Sequence, residues 1–525
     1  MTGNPPWRAW RTLIVLCAGS FAILMDTTIV NVAVPDLSAG LGAGLDGVLW
    51  INNVYQLVFG VLLITMSRLA DRFGARTLFL AGLGVFGLAS VLCGLAPDVP
   101  ALVAARAVQG VGAAMISPQP LVIIAAVFPD NRRGTALGFY NSVLGLAAVL
   151  GPVVGGLLVT HVGWRWIFLV NAPITVLGIL FGSRYLPAVR ARRRSRLDAA
   201  GAALVTLGLA CLMFGLIEGE RYRWGAVAGG PLTIPEVLLA GGVLLLAFVL
   251  WERHRREADP LLPLALFTDR GVTLLVVLTG VVQFVLLGLL LVLTFDLQSV
   301  LGLSAAEAGL TTMPLMAVLT VIAPLAGRLS ARMGGRAVLV AGFLVYAGGL
   351  VALALVAARG AGPAGFVLPL ACCGSGMACL LAPLVTEALR RTPPGMTAAL
   401  AGCLSTSRQI GAALGGVVVG AVLASLLVAG MRGHAETSAA GLSPGDRAAF
   451  LTEVHRSAGA VPQPGTGPFQ ARLHEVFALG YADAARTVLV LLAVLLVLGA
   501  VCCVVVLRRA RAVPVPVNAP ARAPS

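Results

Sequence analysis

The sequence contains no lysine, and few of its residues carry a charge. All 37 basic residues of the 525-residue chain are arginine, and only 11% of the residues are charged, against roughly 25% in a typical soluble domain. Without lysine the chain cannot contain the GxxxxGK[ST] loop that cradles nucleotide phosphates. These absences exclude an ordinary soluble domain and a protein powered by ATP through such a loop.

Cysteine pairs suited to a disulfide or a zinc site are also absent. The nine cysteines all lie in apolar segments and no CxxC spacing occurs, so we interpret them as small buried hydrophobic residues. The N-terminal residues run into an apolar stretch without a small-residue cleavage site, which predicts a retained first helix and not a signal peptide. We expect neither a metal ion nor a bound cofactor.

Long apolar runs make up most of the remaining sequence. The chain is 58% hydrophobic, with a mean hydropathy of +0.95, and a helix of about 20 apolar residues spans a bilayer. The sequence therefore predicts an all-α integral membrane protein with about fourteen spanning helices. The predicted spans begin near Thr12, Trp50, Thr77, Leu102, Thr135, Trp166, Leu197, Ile234, Gly271, Ala308, Ala337, Gly365, Ala398 and Arg486.

The arginines are distributed unequally between the two sides of these spans. With the N-terminus in the cytoplasm, 26 arginines fall on the cytoplasmic side, nine on the outer side and two within spans. Positive charge concentrates in the cytoplasmic loops of membrane proteins, so both termini are predicted to be cytoplasmic. The run RARRRSR, residues 190–196, is either a topology anchor or a contact for anionic lipid. The net charge of +15 is thus explained by the membrane, and no nucleic-acid partner is expected.

Two pairs of similar segments indicate an internal repeat. SRLADRFGAR, residues 67–76, resembles GRLSARMGGR, residues 327–336, and LGPVVGGL, residues 150–157, resembles LGGVVVGA, residues 414–421. Both pairs are separated by the same number of spans, which predicts two six-helix bundles with an inserted helix pair between them. Parallel repeats are typical of secondary transporters, which bind substrate between the halves. Chance similarity of glycine-rich helices is the alternative.

The predicted organisation follows from this repeat. Residues 1–190 form the first six-helix bundle, 191–260 the inserted pair, 261–507 the second bundle, and 508–525 a disordered cytoplasmic tail. Residues 430–485 are predicted to form a long outer loop. Within that loop FQARLHEVFALGY has apolar residues at helical spacing, so we expect a short amphipathic helix on the membrane surface.

Five motifs, in order along the chain, resemble signatures of the major facilitator superfamily. They are MDTTIVNVAVP, LADRFGAR, LVAARAVQGVGAA, GLAAVLGPVVGG and WRWIFLVNAP. Together they are similar to the fourteen-span branch of drug:proton antiporters, and the resemblance covers about residues 10–507. It implies the major-facilitator fold and the export of multiple drugs or quaternary ammonium compounds, driven by the proton motive force.

Asp26 places a carboxylate inside the first span. It lies about 14 Å from the outer end of the apolar stretch, where a charge costs about 2.5–3.5 kcal/mol, so we expect it to face a cavity or a partner. All five histidines lie outside the predicted spans, which leaves Asp26 as the candidate proton carrier. Arg106, at a similar depth in the fourth span, is its predicted partner. A structural hydrogen bond or ion pair without proton transfer is the alternative.

The resemblance adds roles for neighbouring residues. It implicates Arg106 in proton coupling, with Gln109 and Gly110 completing that motif. It also implies that the fifth-span motif, typical of antiporters, helps to seal the interface between the halves. Its glycine spacing alone permits close helix packing, and its proline favours a bend. The residues of this motif are Gly145, Gly151, Pro152, Gly155 and Gly156.

The loop after the second span is a predicted gate. Asp71 is expected to meet the positive N-terminal end of a helix from the other half and so to latch one conformation; a solvated charged turn is the alternative. Ser67 and Ala75 depart from the family pattern, and the second copy has Ala331 in place of the acid. The predicted gate residues are Asp71, Arg72, Gly74 and Arg76.

The remaining polar residues of the spans suggest the substrate class. Glu218, Asp296 and Glu387 lie near predicted helix ends and are expected to be interfacial. With Asp26 as the one acid deep in the membrane, a polycationic substrate would find few partners, so we expect lipophilic neutral or singly charged compounds. The candidate cavity-lining residues are Asn31, Gln109, Arg408 and Gln409.

The sequence as a whole predicts a proton-driven exporter of small lipophilic compounds such as antibiotics. We expect a monomer in the inner membrane of a bacterium, in contact with lipid. An importer or symporter of a small polar metabolite with the same fold is the first alternative. A membrane-embedded transferase would need acids or histidines clustered at one interface, which the sequence lacks, so no enzyme activity is expected. A receptor or scaffold would show no substrate flux.

Overall fold

The computed structural model describes most of the chain. The described residues are 6–41, 45–188, 198–219, 221–227, 230–254, 264–358, 362–440, 442–457 and 469–507. The predicted tail, residues 508–525, and the arginine run at residues 190–196 lie outside the described residues.

Helices account for nearly all of the described residues, and extended backbone pairs there only as a single bridge between Ala226 and Thr233. Short 3-10 turns cover Leu264–Phe267, Pro363–Phe366 and Pro394–Met396. A π-helical turn, Asp296–Val300, directly follows α12. The α-helices are α1 (Pro6–Val32), α2 (Val34–Leu41), α3 (Leu45–Phe73), α4 (Ala75–Gly94), α5 (Val99–Ile116), α6 (Gln119–Val127), α7 (Asp130–His161), α8 (Trp166–Leu169), α9 (Asn171–Tyr185), α10 (Ala199–Glu218), α11 (Ile234–His254), α12 (Arg270–Phe295), α13 (Ala305–Met333), α14 (Gly335–Ala358), α15 (Val367–Arg391), α16 (Thr397–Ser438), α17 (Pro444–Ser457) and α18 (Gln470–Val506).

Fourteen stretches of the described chain are long and apolar enough to cross a membrane, which confirms the predicted number. The fourth stretch comprises α5 and α6, and the sixth comprises α8 and α9. Between α5 and α6 lie Ser117 and Pro118, and Pro120 follows in the first turn of α6. Proline lacks the amide hydrogen that a helix requires, so the hydrogen-bond ladder is interrupted there.

The expectation of a loop over residues 430–485 is wrong. Helix α16 continues to Ser438, α17 follows, and α18 begins at Gln470 and runs without a break through the last span. FQARLHEVFALGY is therefore the first part of the last spanning helix and not a separate surface helix, and its Val476 and Phe477 are fully buried. With 42 residues, α16 is about 63 Å long and extends well beyond a hydrocarbon core of about 30 Å.

The two repeat segments adopt the same local structure. Gly74 joins α3 to α4 and Gly334 joins α13 to α14, with φ values of 89° and 90°, in the left-handed region that glycine adopts without strain. Arg76 then donates a hydrogen bond to a carbonyl near the end of α9, and Arg336 donates one to a carbonyl near the end of α18. The halves thus share both the turn and the contact that anchors it.

The helices group into two bundles of six spans. Helices α1, α3, α4, α5 with α6, α7, and α8 with α9 pack as the first bundle, and α12, α13, α14, α15, α16 and α18 pack as the second. Helices α10 and α11 pack on each other, and α10 also contacts α3 and α16. The predicted fold class is confirmed. The residue boundaries given for its parts stay a prediction.

The bundles meet first through α7 and α13. Gly134 and Gly327 bring the two backbones so close that a Cβ on either residue would collide with the other's carbonyl. Eight residues further along α7, the hydroxyl of Ser142 donates to the carbonyl of Thr320 on α13 at 2.5 Å. Small residues let helices approach to this distance in a membrane.

The bundles meet again through α3 and α16. Gly402, near the start of α16, lies against the side chain of Ser67 near the end of α3. Both contacts lie at the end of the bundles that carries the turns at Gly74 and Gly334. The space between the bundles is therefore closed at that end.

Candidate functional site

Asp26 is fully buried on α1 and is paired with an arginine. Its Oδ2 atom accepts a hydrogen bond from Nη1 of Arg106 on α5 at 2.5 Å, and both side chains are 0% exposed. The structure thus brings together the two residues that the sequence analysis paired by depth. Their role in proton transfer stays a prediction.

Two amides complete the surroundings of the carboxylate. Nε2 of Gln109 and Nδ2 of Asn171 each donate to Oδ1 of Asp26 at 2.9 Å. Oε1 of Gln109 also accepts from Nη1 of Arg106 at 2.7 Å. A buried charge is tolerated only with such compensation. We call these four residues the Asp26 cluster.

Arg106 is held from a third helix. Its Nε atom donates to the carbonyl of Ile51 on α3 at 3.3 Å. Its guanidinium carbon lies 4.2 Å from the ring centre of Tyr55, also on α3, and 5.7 Å from that of Phe168, in the range of a cation–π interaction. Among the described residues its Nη2 atom has no hydrogen-bond partner, so both N–H groups of that atom are unpaired.

The Asp26 cluster connects several helices of the first bundle. It joins α1, α5 and α9, and Gln109 extends it to Ser90 on α4 through a hydrogen bond of 2.8 Å. Separating a buried ion pair leaves uncompensated charge and costs about 3–5 kcal/mol.

The predicted gate residues do not form one cluster. Asp71 pairs with Arg68 on its own helix at 2.7 Å, whereas the Arg72 guanidinium lies 5.5 Å from the ring centre of Phe73. Gly74 forms the turn described above, and Arg76 donates a hydrogen bond to the carbonyl of Ser183 near the end of α9. Arg68 was missed in the sequence analysis, although its spacing of three residues from Asp71 places both on one face of the helix.

The expected neighbour of this gate is present. α16 of the second bundle begins beside α3, where Gly402 contacts Ser67. A helix from the other half thus starts within the region that the predicted latch requires. The latch between Asp71 and that helix stays a prediction.

The fifth-span motif divides between two neighbours. Gly145 lies against α13 of the second bundle, but Gly151 and Gly155 lie against α1 of their own bundle. A Cβ on Gly156 would meet nothing within 4 Å, and Pro152 is exposed. Of these glycines, Gly145 thus lies at the interface between the halves and Gly151 and Gly155 lie within the first bundle, and the sealing role of the motif stays a prediction. The direction in which each glycine faces depends on helix rotation, which the motif does not reveal.

The candidate cavity-lining residues lie in different places. Gln109 is part of the Asp26 cluster, and its side chain is 0% exposed. Gln409 faces Gly60 on α3, and Arg408 is partly buried on α16. Asn31 lies on α1, but its side chain is outside the described residues.

The three acids expected at the membrane interface are buried in the protein. Glu218, Asp296 and Glu387 are 1%, 6% and 8% exposed, and each lies at or near the end of a helix; their position at the membrane interface stays a prediction. Glu218 accepts a hydrogen bond from Asn53 on α3 at 2.9 Å, and Glu387 pairs with Arg391 at 3.2 Å. Neighbouring helices bury these side chains. The distance of a residue from the end of its own helix does not predict whether other helices pack over it.

Asn171 and Tyr55 are site residues that the sequence analysis did not identify. Asn171 is the asparagine of the quoted WRWIFLVNAP motif, and an amide inside an apolar run was the signal for it. Tyr55 carried no such signal, because an aromatic residue on an apolar helix usually contributes only packing. Among the described residues, no group of three or more His, Cys, Asp or Glu is placed to hold a metal ion.

Comparisons with known proteins give a family and two kinds of relatives. The sequence model of the Major Facilitator Superfamily matches residues 16–416. The multidrug resistance protein Stp of Mycobacterium tuberculosis is 34% identical over 426 residues, which cover 81% of this chain and 78% of that protein. The tetracenomycin C resistance and export protein of Streptomyces glaucescens is 33% identical over 466 residues, covering 88% and 84%. The solved structure of the proton:xylose symporter XylE has a TM-score of 0.56 at 16% identity, covering 94% of this chain and 95% of that chain, a likeness that concerns the fold alone.

Proposed function

Because the chain belongs to the major facilitator superfamily, we propose that it exports small lipophilic compounds, antibiotics among them, in exchange for protons. The observation that carries this proposal is the Asp26 cluster, in which a carboxylate and Arg106 form a fully buried ion pair inside a spanning bundle. The names of the two relatives, a multidrug resistance protein and a resistance and export protein, support outward transport.

Substrate moves by alternating access between the two bundles. The contacts of α7 with α13 and of α3 with α16 close one end of the space between them. That end carries the arginine-rich loops, and the positive-inside rule favours a cytoplasmic position for it. The conformation described here is then the one open to the outside, and both termini lie in the cytoplasm of a bacterium with the protein in its plasma membrane.

Protons drive the exchange through Asp26. In the outward-open state substrate leaves, and a proton from the outside neutralises Asp26 and weakens its pairing with Arg106. The helices α1 and α5 are then free to shift as the bundles rock and the cytoplasmic end opens. Release of the proton into the cytoplasm restores the ion pair, and a new substrate molecule enters. The protein acts as a monomer and uses the proton motive force without a bound cofactor.

The test compares Asp26→Asn with Asp36→Asn in everted membrane vesicles. Asp36 is exposed on α2 and is therefore a matched control for loss of an acid near the same end of the chain. After respiration has acidified the lumen, addition of an exported antibiotic should release lumenal protons through the wild type and through Asp36→Asn. We expect Asp26→Asn to reach the membrane but to lose this release by about 100-fold or more, the scale of general acid and base contributions.

Two results would contradict the proposal. Normal proton release through Asp26→Asn would remove this carboxylate from the coupling. Movement of protons and substrate in the same direction would show a symporter with the same fold. A susceptibility panel of lipophilic antibiotics in a host without its own efflux pumps supplies the compounds for both measurements.

A further inference from the structure

Arg408 lies on the face of α16 that points to the space between the bundles. On one flank the hydroxyl of Ser407 donates to a backbone carbonyl of α12 at 2.7 Å, and Gly411, a turn later, lies against the same helix. On the other flank Gln409 faces α3. Successive residues of a helix point about 100° apart, so Arg408 projects between these flanks, toward the first bundle.

Arg408 has no ionic partner within the described chain. It is partly exposed, and no hydrogen bond or ion pair to it occurs among the described residues. Tyr140, across the interface on α7, is close enough to Arg408 to interact with it electrostatically. The hydroxyl of Tyr140 already donates to Ser20 on α1 at 2.9 Å. The guanidinium therefore keeps its donors available to a ligand between the bundles.

Three buried acids of the described chain have arginine partners of their own. Asp26 is fully buried and paired with Arg106, Glu218 is paired with Arg221, and Glu387 is paired with arginines at the end of its own helix. The Asp26 cluster is neutral when its two charged members are both ionised. Arg408 is thus a positive charge at the interface between the bundles that is paired with none of these three acids.

We propose that Arg408 binds an acidic oxygen group, a carboxylate or an ionised phenol, on the compounds that this transporter exports. A guanidinium presents a planar set of donors that matches such groups, and a charge-assisted hydrogen bond is stronger than a neutral one. The inference rests on the proposed export function and narrows its substrates from lipophilic compounds in general to lipophilic acids. The membrane potential, negative inside, favours the outward movement of such an anion.

Matched acid and ester pairs test this inference directly. The probes are dansyl-phenylalanine and dansyl-leucine, each with its methyl ester, and the readout is energised uptake into everted vesicles above the unenergised level. We expect the wild type to take up the acids in preference to the esters. This preference requires no variant, so the test stands even if a substitution at position 408 prevents folding.

Three variants then assign the preference to Arg408. Arg408→Gln should lower uptake of the acids by about tenfold or more, as for loss of a hydrogen bond to a charged group, and leave uptake of the esters unchanged. Arg408→Lys should keep most of the preference because it keeps the charge. Arg432→Gln, an exposed arginine on the same helix, should behave as the wild type.

Several outcomes would overturn the inference. They are wild-type uptake that favours the esters, equal uptake of both forms, uptake of neither, and an Arg408→Gln variant that loses acids and esters alike. Export of esters with normal proton release would leave the proposed function standing while removing the acid preference. If no substrate is exchanged for protons, by contrast, the proposed function itself is contradicted.

Discussion

The two six-helix bundles share their backbone contacts and differ in the side chains that fill them. In the first bundle Gly112 of α5 lies against the backbone of Phe86 on α4, and in the second Gly376 of α15 lies against the backbone of Tyr346 on α14. These contacts establish which residues of α5 and α15 correspond. At equal distances before the two glycines lie Arg106 and Leu370, and nearer to them Gln109 and Cys373.

The same comparison identifies the counterpart of Asp26. Gly151 of α7 lies against the carbonyl of Met25, and Gly415 of α16 lies against the carbonyl of Phe284. The residues that follow these carbonyls are Asp26 in the first bundle and Val285 in the second. A carboxylate at the centre of one half thus corresponds to a fully buried aliphatic side chain at the centre of the other.

Packing between the corresponding helices is conserved even where the residues exchange. In the first bundle Gly155 of α7 accommodates Ile29 of α1, whereas in the second Gly288 of α12 accommodates Val419 of α16. The small residue has moved to the other helix of the pair, and the close approach is kept. The requirement is for one small and one large side chain, on either helix.

The difference between the halves indicates what the buried charges are for. The second bundle adopts the same arrangement with Val285, Leu370 and Cys373, all 0% exposed, so this fold does not need an ion pair at that place. Apolar residues in place of a buried ion pair are often neutral or stabilising. We infer that the first bundle keeps its charges for transport, and that the second serves as the apolar counterpart against which it moves.

The largest expected effect comes from making the first bundle resemble the second. Arg106→Leu should destabilise the protein by about 3–5 kcal/mol, because it leaves Asp26 buried without its charged partner. The double variant Asp26→Val with Arg106→Leu copies Val285 and Leu370 and should recover most of that loss, yet fail to exchange protons. Thermal denaturation in detergent and proton release in everted vesicles measure the two properties.

A conservative change in the second bundle is the control for this pair. Leu370→Met should cost less than about 1.5 kcal/mol and leave proton exchange intact. A double variant that stays as unstable as Arg106→Leu would show that the two halves are not equivalent at this position. A double variant that still exchanges protons would place the proton carrier elsewhere.

A smaller effect is expected at the glycines that define the correspondence. Gly112→Ala and Gly376→Ala should each cost about 1–3 kcal/mol, since in both cases a Cβ meets the backbone of a neighbouring helix. Denaturation midpoints of the two variants should fall by similar amounts. Gly84→Ala and Gly348→Ala are the controls, because a Cβ at either position meets nothing within 4 Å. A loss confined to one bundle would break the correspondence between them.

Much of this fold could be predicted because a bilayer restricts what a chain can do. A span requires about 20 apolar residues, so fourteen apolar runs gave fourteen spans. The fixed rise of a helix also allowed Asp26 and Arg106 to be paired by depth. The outer parts of α16 and α18 were not predicted, because outside the membrane a helix needs no apolar run and the rule that located the spans no longer applies.

The details of the site depended on contacts that no local pattern encodes. Asn171 reaches Asp26 from far along the chain, and Gly151 faces α1 only because of the rotation of α7 within its bundle. Depth along a helix can be read from residue number, but its rotational orientation depends on all of its neighbours. This is why the ion pair was predicted and the contact of Asn171 with it was not.

The smallest expected effect concerns the two loop arginines that make the same contact in the two halves. Arg76 and Arg336 each donate a hydrogen bond to a carbonyl near the end of a helix, and both contacts are exposed. Replacement of either by glutamine should lower the stability by about 0.5–1.5 kcal/mol, to the same extent in both halves.

The effects of the two replacements on transport should differ, since the first repeat segment carries Asp71 and the second has Ala331 in its place. If the acid in the first loop acts as a latch, Arg76→Gln should slow proton-driven uptake and Arg336→Gln should not. Equal slowing by both variants, measured at equal amounts of protein in the membrane, would mean that these loops only support the helices they join.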